Sequence, residues 1–77
     1  MSATVLFFGA TASIAGCRQM DVTAGDTVAH LVERVIAENP PLSAHKLLVS
    51  VNERYSIGEE TVCDGDRIGI FTAVSGG

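Results

Sequence analysis

Apolar and polar positions along the chain repeat with two different periods, one of strands and one of a helix. Thr4-Val5-Leu6-Phe7-Phe8 is rich in β-branched and aromatic residues and stops at Gly9, which predicts a first strand. Val5 with Phe7 and Leu6 with Phe8 make that strand apolar on both faces, whereas a sheet with one wet face alternates apolar with polar. Such a strand either lies centrally under loops or leaves an apolar patch open for a partner. Ala10 to Gly16, small and polar, fits a loop or one irregular helical turn. Cys17 to Val22 predicts a second short strand, broken at Ala24-Gly25-Asp26.

The clearest periodic signal follows. Val28, Leu31, Val32, Val35 and Ile36 stand at i, i+3, i+4, i+7 and i+8, the apolar stripe of an amphipathic helix of about eleven residues. Asp26 or Thr27 is placed to cap its first free N–H groups. Asn39-Pro40-Pro41 ends it, because a residue before proline is pushed out of the helical region and proline has no N–H to continue. Leu47 to Asn52 predicts a third strand, Glu53-Arg54 a turn, and Tyr55 to Ile57 a stub of extended chain. Cys63-Asp64-Gly65-Asp66 is a turn by composition, leading into a last strand from Arg67 to Phe71. One helix can cover only one face of the resulting sheet of about four to five strands. The expectation is therefore a single α+β domain over residues 1–77, with a flexible tail at 72–77.

Composition narrows the function classes. With 77 residues the chain has surface for one modest core, and 47% apolar with 18% charged residues belongs to folded proteins. Its formal charge is −4. The basic residues Arg18, Arg34, Lys46, Arg54 and Arg67 are scattered, which argues against nucleic acid, a ligand that requires a basic patch. An acidic chain is steered instead toward partners with basic surfaces. Ala3 to Phe8 is too short to span a bilayer and follows no basic region, so no membrane role and a cytoplasmic location are expected. Cys17 and Cys63 form no metal knuckle and are expected to be buried, inert thiols, with a disulfide between them left open. His30, off the apolar stripe, and His45, in a polar connection, read as solvated residues. Asp64 and Asp66 flank Gly65 and read as setting a turn. No catalytic triad, metal-ligand set or phosphate loop can be assembled.

Candidate chemistry collects at the end of the chain, Ala73-Val74-Ser75-Gly76-Gly77. Without Cβ atoms, Gly76-Gly77 can thread a narrow channel. Five extended residues reach at most about 17 Å, enough to enter a partner's site while the globule stays outside. A terminal carboxylate is ionised at neutral pH and is a poor acyl electrophile. It must be activated, by ATP through an acyl-adenylate, and the means for that are not in this sequence.

The chain resembles the small subunit of molybdopterin synthase, the MoaD group of ubiquitin-like β-grasp sulfur carriers. Val5-Leu6-Phe7-Phe8, Thr27-Val28 with Leu31, Val51-Asn52, Asp64-Gly65-Asp66 and Val74-Ser75-Gly76-Gly77 carry that resemblance jointly, by their order and spacing. It implies that Gly77 is adenylated by an activating enzyme, converted to a thiocarboxylate, and donates sulfur to cyclic pyranopterin monophosphate for the molybdenum cofactor. Gly76, Ser75 and Val74 would thread the tail, and Phe7 and Phe71 with the exposed sheet face would dock. The implied partners are the large synthase subunit, in a heterotetramer of two small and two large chains, the adenylating enzyme and a sulfur donor. The chain would be no enzyme on its own and would bind no cofactor or metal, the ATP being used by the activating enzyme. Thr72-Ala73 replaces the family's paired prolines before the tail, and Ala12-Ser13 a frequent Arg-Glu pair. Alternatives are a sulfur carrier for thiamine or cysteine synthesis, a modifier joined to lysines of other proteins, and a binding module with an idle tail.

Overall fold

The computed structural model of the chain describes residues 1–72. β1 (Ser2–Phe7) buries Ala3, Val5 and Phe7 on one face and turns Thr4 and Leu6 to the other. The small residues after it form a helix, α1 (Ala10–Ala15), closed by Gly16 in the left-handed region at φ 76°, with its N–H donating to the Ala12 carbonyl. β2 (Gln19–Thr23) begins two residues later than its composition suggests. α2 (Val28–Glu38) has the expected stripe, with Val28, Leu31 and Val35 buried and the Thr27 hydroxyl accepting the His30 N–H at its start. Beyond Asn39 the two prolines open a 3₁₀ helix, Pro40–Ala44, that seats Leu42 fully in the core. That segment reads as a plain polar connection in sequence.

β3 (Leu47–Val51), β4 (Arg54–Tyr55) and β5 (Arg67–Thr72) complete a mixed sheet ordered β2-β1-β5-β3-β4. β1 and β5 are parallel, and the other pairs are antiparallel. This is the α+β, β-grasp arrangement, with α2 across one face. Thr72, expected to open the tail, is the last residue of β5. The hairpin turn is Asn52-Glu53, both at positive φ (49° and 72°), one residue earlier than predicted, because Val51 pairs with Arg54.

The chain between β4 and β5 serves α2. The carbonyls of Glu60 and Gly58 accept the N–H groups of Val28 and Ala29, so the first donors of the helix are satisfied by backbone. Asp64 and Asp66 set the turn as expected: Asp64 accepts the Ser2 N–H at 2.8 Å, and Asp66 accepts the Cys63 N–H at 2.8 Å. Asn52 spans from the hairpin to this turn, donating to Asp66 and accepting the Arg67 N–H, each at 3.0 Å.

Both cysteines are exposed, contrary to the expectation of burial. Each sits in a turn at a sheet end, where the chain reverses outside the core. Phe7 N–H donates to Arg18 O at one end of β1, and Gly65 N–H donates to Ser2 O at the other. Cys17 and Cys63 are thus separated by about the length of a six-residue strand, roughly 20 Å, far beyond the reach of a disulfide. No helix among the described residues is long and apolar enough to cross a membrane.

Candidate functional site

Strand register sorts the aromatic residues between two faces. Phe7 is level with Ile70 and shares its face, which α2 covers, and it is only 3% exposed. This corrects the expectation that Phe7 docks a partner: it is a core residue, because Val5 and Phe7 alternate onto the same side as Ile68 and Ile70. Phe71 falls on the opposite, helix-free face. There it meets Phe8 edge-to-face at a centroid distance of 6.4 Å, and Tyr55 at 6.0 Å with the planes tilted by 53°. Phe8 is 51% exposed and Tyr55 76%. Leu6, half-buried on the same face, and Leu48, directly opposite Phe71 on β3, extend the apolar strip, which with Tyr55 on β4 crosses four strands.

This face lies open because α2 occupies the other one. Its middle is kept shallow by Gly69, where a Cβ would stand 2.5 Å from Ser50 Oγ and 3.2 Å from the Phe8 ring. Phe8 is held from below. Its N–H donates to Ile70 O at 3.1 Å and to Thr11 Oγ1 at 3.0 Å. The fully buried Thr11 hydroxyl in turn lies 2.7 Å from Phe8 O and 2.9 Å from Ile70 O. α1, which sequence reasoning could not tell from a loop, therefore fixes the end of β1 against the last part of β5. Phe8 and Tyr55 are the docking candidates that sequence reasoning missed. The signal for Phe8 was present, since Ile68 and Ile70 in the last strand must share one face and Phe71 the other, but which face of the first strand joins Phe71 depends on parallel register.

The rim is charged with both signs, with Glu53 and Arg67 lining a groove over Gly69. Asp66 is held below the ordinary carboxylate range, first by the Cys63 N–H and then by Asn52. Asp26 is lowered too, first by the Thr27 N–H and then by His30, whose Nδ1 lies 3.0 Å from its Oδ1. His30 and His45 are both exposed. Among the described residues no three His, Cys, Asp or Glu side chains gather at metal-binding distance. What the described surface presents on this side is the apolar strip with a rim of both signs. Val74, Ser75, Gly76 and Gly77 lie outside the described residues.

Comparison with known proteins adds to this geometry. The model of the ThiS family matches residues 5–77. The fold is similar to the crystal structure of SAMP1 from Haloferax volcanii, with a TM-score of 0.81 and 25% identity over 100% of both chains. It is also similar to a putative molybdopterin converting factor, subunit 1, from Pyrococcus furiosus, with a TM-score of 0.86 and 22% identity over 96% of this chain and 99% of that one. A third likeness, at 28% identity and a TM-score of 0.67, covers 97% of this chain and 99% of a chain in the BexX/CysO complex of Amycolatopsis orientalis.

Proposed function

The chain belongs to the ThiS family of ubiquitin-like sulfur carriers, and from that premise we propose that its Gly77 carboxyl group is the site at which sulfur is carried. The observation that carries this reading is the family match itself, which runs through Val74-Ser75-Gly76 to Gly77. The carboxylate is adenylated with ATP by an activating enzyme, a sulfur nucleophile displaces AMP, and the product is a thiocarboxylate. Gly76, Ser75 and Val74 form the narrow stalk that enters the partner's site.

Within the family we assign the chain to molybdopterin synthase as its small subunit, donating sulfur to cyclic pyranopterin monophosphate. It would do so in the cytoplasm, in a heterotetramer with two large subunits. The likeness to a molybdopterin converting factor subunit supports this pathway. The open strip of Leu6, Phe8, Leu48, Tyr55 and Phe71 supplies an apolar docking surface at the root of the tail. Phe71 keeps its expected docking role here, and Phe8 takes the one expected of Phe7. A second reading, the same carrier chemistry in another pathway, is favoured by the higher identity to the chain from the BexX/CysO complex.

Intact mass after incubation with ATP, a sulfur donor and the activating enzyme of the molybdenum pathway tests the carrier chemistry. One oxygen of Gly77 should be replaced by sulfur, and deletion of Gly76-Gly77 should abolish the change. Adding the large synthase subunit and the pyranopterin should then yield a dithiolene product. A thiocarboxylate without that product would move the assignment to the second reading, and isopeptide adducts on other proteins would point to a modifier.

A further inference from the structure

β2 forms one edge of the sheet, bonded to β1 on one side only. Phe7 N–H donates to Arg18 O and Ala24 N–H to Met1 O, so the even-numbered residues of this stretch turn their backbone groups toward β1. In an antiparallel ladder the residues between them face the other way. The N–H and C=O groups of Gln19, Asp21 and Thr23 therefore point outward, and among the described residues none of these groups has a partner. β2 contains no proline, and its five residues give about 17 Å of bare edge.

Beside this edge, between β2 and α2, runs a groove of about 400 Å³. Met20 and Val22 stand opposite the buried Val5 and Ala3, so they share the face that α2 covers, yet both are only half-buried. With Leu31 and Val35 of α2 they line the groove with apolar surface, and Arg34 and Glu38 add one charge of each sign. Asp21 alternates onto the opposite, open face, where it is exposed beside Thr4.

An unpaired strand edge next to a helix-lined groove is complementary to an extended segment that adds a strand and lays alternate side chains in the groove. We propose that the β2 edge binds an extended segment of a partner protein, antiparallel to β2, with an apolar–basic–apolar pattern at its centre. The two apolar residues lie opposite Val22 and Met20 and enter the groove, where β-branched side chains fit the pleated surface. The residue between them faces Asp21, and a lysine or arginine there makes a cross-strand pair of opposite charge. The formal charge of −4 draws the same basic segment toward the chain. A second copy of the chain fits poorly, because β2 paired about its own middle residue sets Asp21 directly against Asp21. The aromatic strip crosses β1, β5, β3 and β4, so the two surfaces share no strand.

The probe is the peptide acetyl-Ser-Thr-Val-Lys-Ile-Thr-Ser-amide, added to the full isotopically labelled chain and followed by amide NMR and hydrogen exchange. Saturable shifts are expected along β2 and at Leu31 and Val35. The amides of Gln19, Asp21 and Thr23 should gain protection, whereas those of Met20 and Val22, already bonded to β1, should change little. Asp21→Pro removes one outward N–H without touching the β1 ladder and should weaken binding about tenfold. Asp21→Lys should weaken it as well, and should bind better the peptide in which aspartate replaces the lysine. Shifts confined to Phe8, Leu48 and Phe71, edge amides that gain no protection, or equal binding by wild type and Asp21→Lys would each overturn the proposal. Protection of the same amides without peptide, rising with protein concentration, would do so too and make a second copy the occupant. No readout here involves the chemistry of Gly77, so failure of this proposal and failure of the carrier reading are separate results.

Discussion

A methyl group at position 69 would press on Ser50 Oγ and on the Phe8 ring, so glycine there is a condition for the aromatic strip on the open face. Gly69→Ala should lower stability by about 1–2 kcal/mol through overpacking, read by urea unfolding, and should weaken assembly with the large subunit by displacing Phe8. The two adjacent phenylalanines are expected to separate cleanly. Phe7→Ala, in the core, should cost about 3–5 kcal/mol of stability. Phe8→Ala, half exposed, should cost less than about 1.5 kcal/mol and should act chiefly on affinity, measured by calorimetry against the large subunit. A Phe8→Ala protein that bound as tightly as wild type would remove this face from the docking surface. In sequence Phe7 and Phe8 are equivalent apolar residues. Only the register with β5 distinguishes them, and register is a long-range property that no local pattern contains.

Among the elements, the β3–β4 hairpin carries a visible local cost. Its two turn residues both lie at positive φ, where asparagine is tolerated and glutamate is not favoured. Glu53→Gly converts the turn to Asn-Gly and should raise stability by about 0.5–1 kcal/mol, seen as a higher urea midpoint at unchanged slope. No change, or a loss, would mean that the Glu53 side chain contributes something its exposure does not suggest. The elements differ in how legible they were. α2 was evident from its stripe, its Thr27 cap and the stop at Asn39-Pro40, all local signals. α1 and the 3₁₀ helix were not, because neither carries an apolar period; one is held by a single buried threonine and the other by a single buried leucine. Cys17 and Cys63 were misplaced for a related reason, since hydrophobicity predicts burial only where an element carries the residue inward.

For the molecule as a whole, the acidic side chains at Asp26 and Asp66 tie stability to pH. Both are held below the ordinary carboxylate range by accepted hydrogen bonds, so the folded state favours their charged form relative to the unfolded chain. Their contribution is complete above the ordinary carboxylate range and is lost as pH falls through the lowered folded values. Urea midpoints should therefore decline between about pH 5 and about pH 2, and Asp66→Asn should flatten part of that decline. The fold class, the main helix and the terminal glycines were readable from the sequence. The open aromatic face was legible only as two alternatives for the first strand, because burial on a sheet depends on where the one long helix lies. Neither reading held whole: β1 is internal to the sheet, yet its second face is left uncovered.

The position of β5 has a mechanical consequence. It is the middle strand of five, bonded to β1 on one side and β3 on the other, and in the sequence the tail follows its last residue, Thr72. A pull on the tail, as when a threaded carrier is drawn away from a partner, acts along the strand axis. It therefore loads the hydrogen bonds of both neighbouring ladders in shear, all together, and cannot peel them apart one by one as it would at an edge. The globule is anchored to its stalk at its strongest line, so a partner's grip should give way before the carrier unravels.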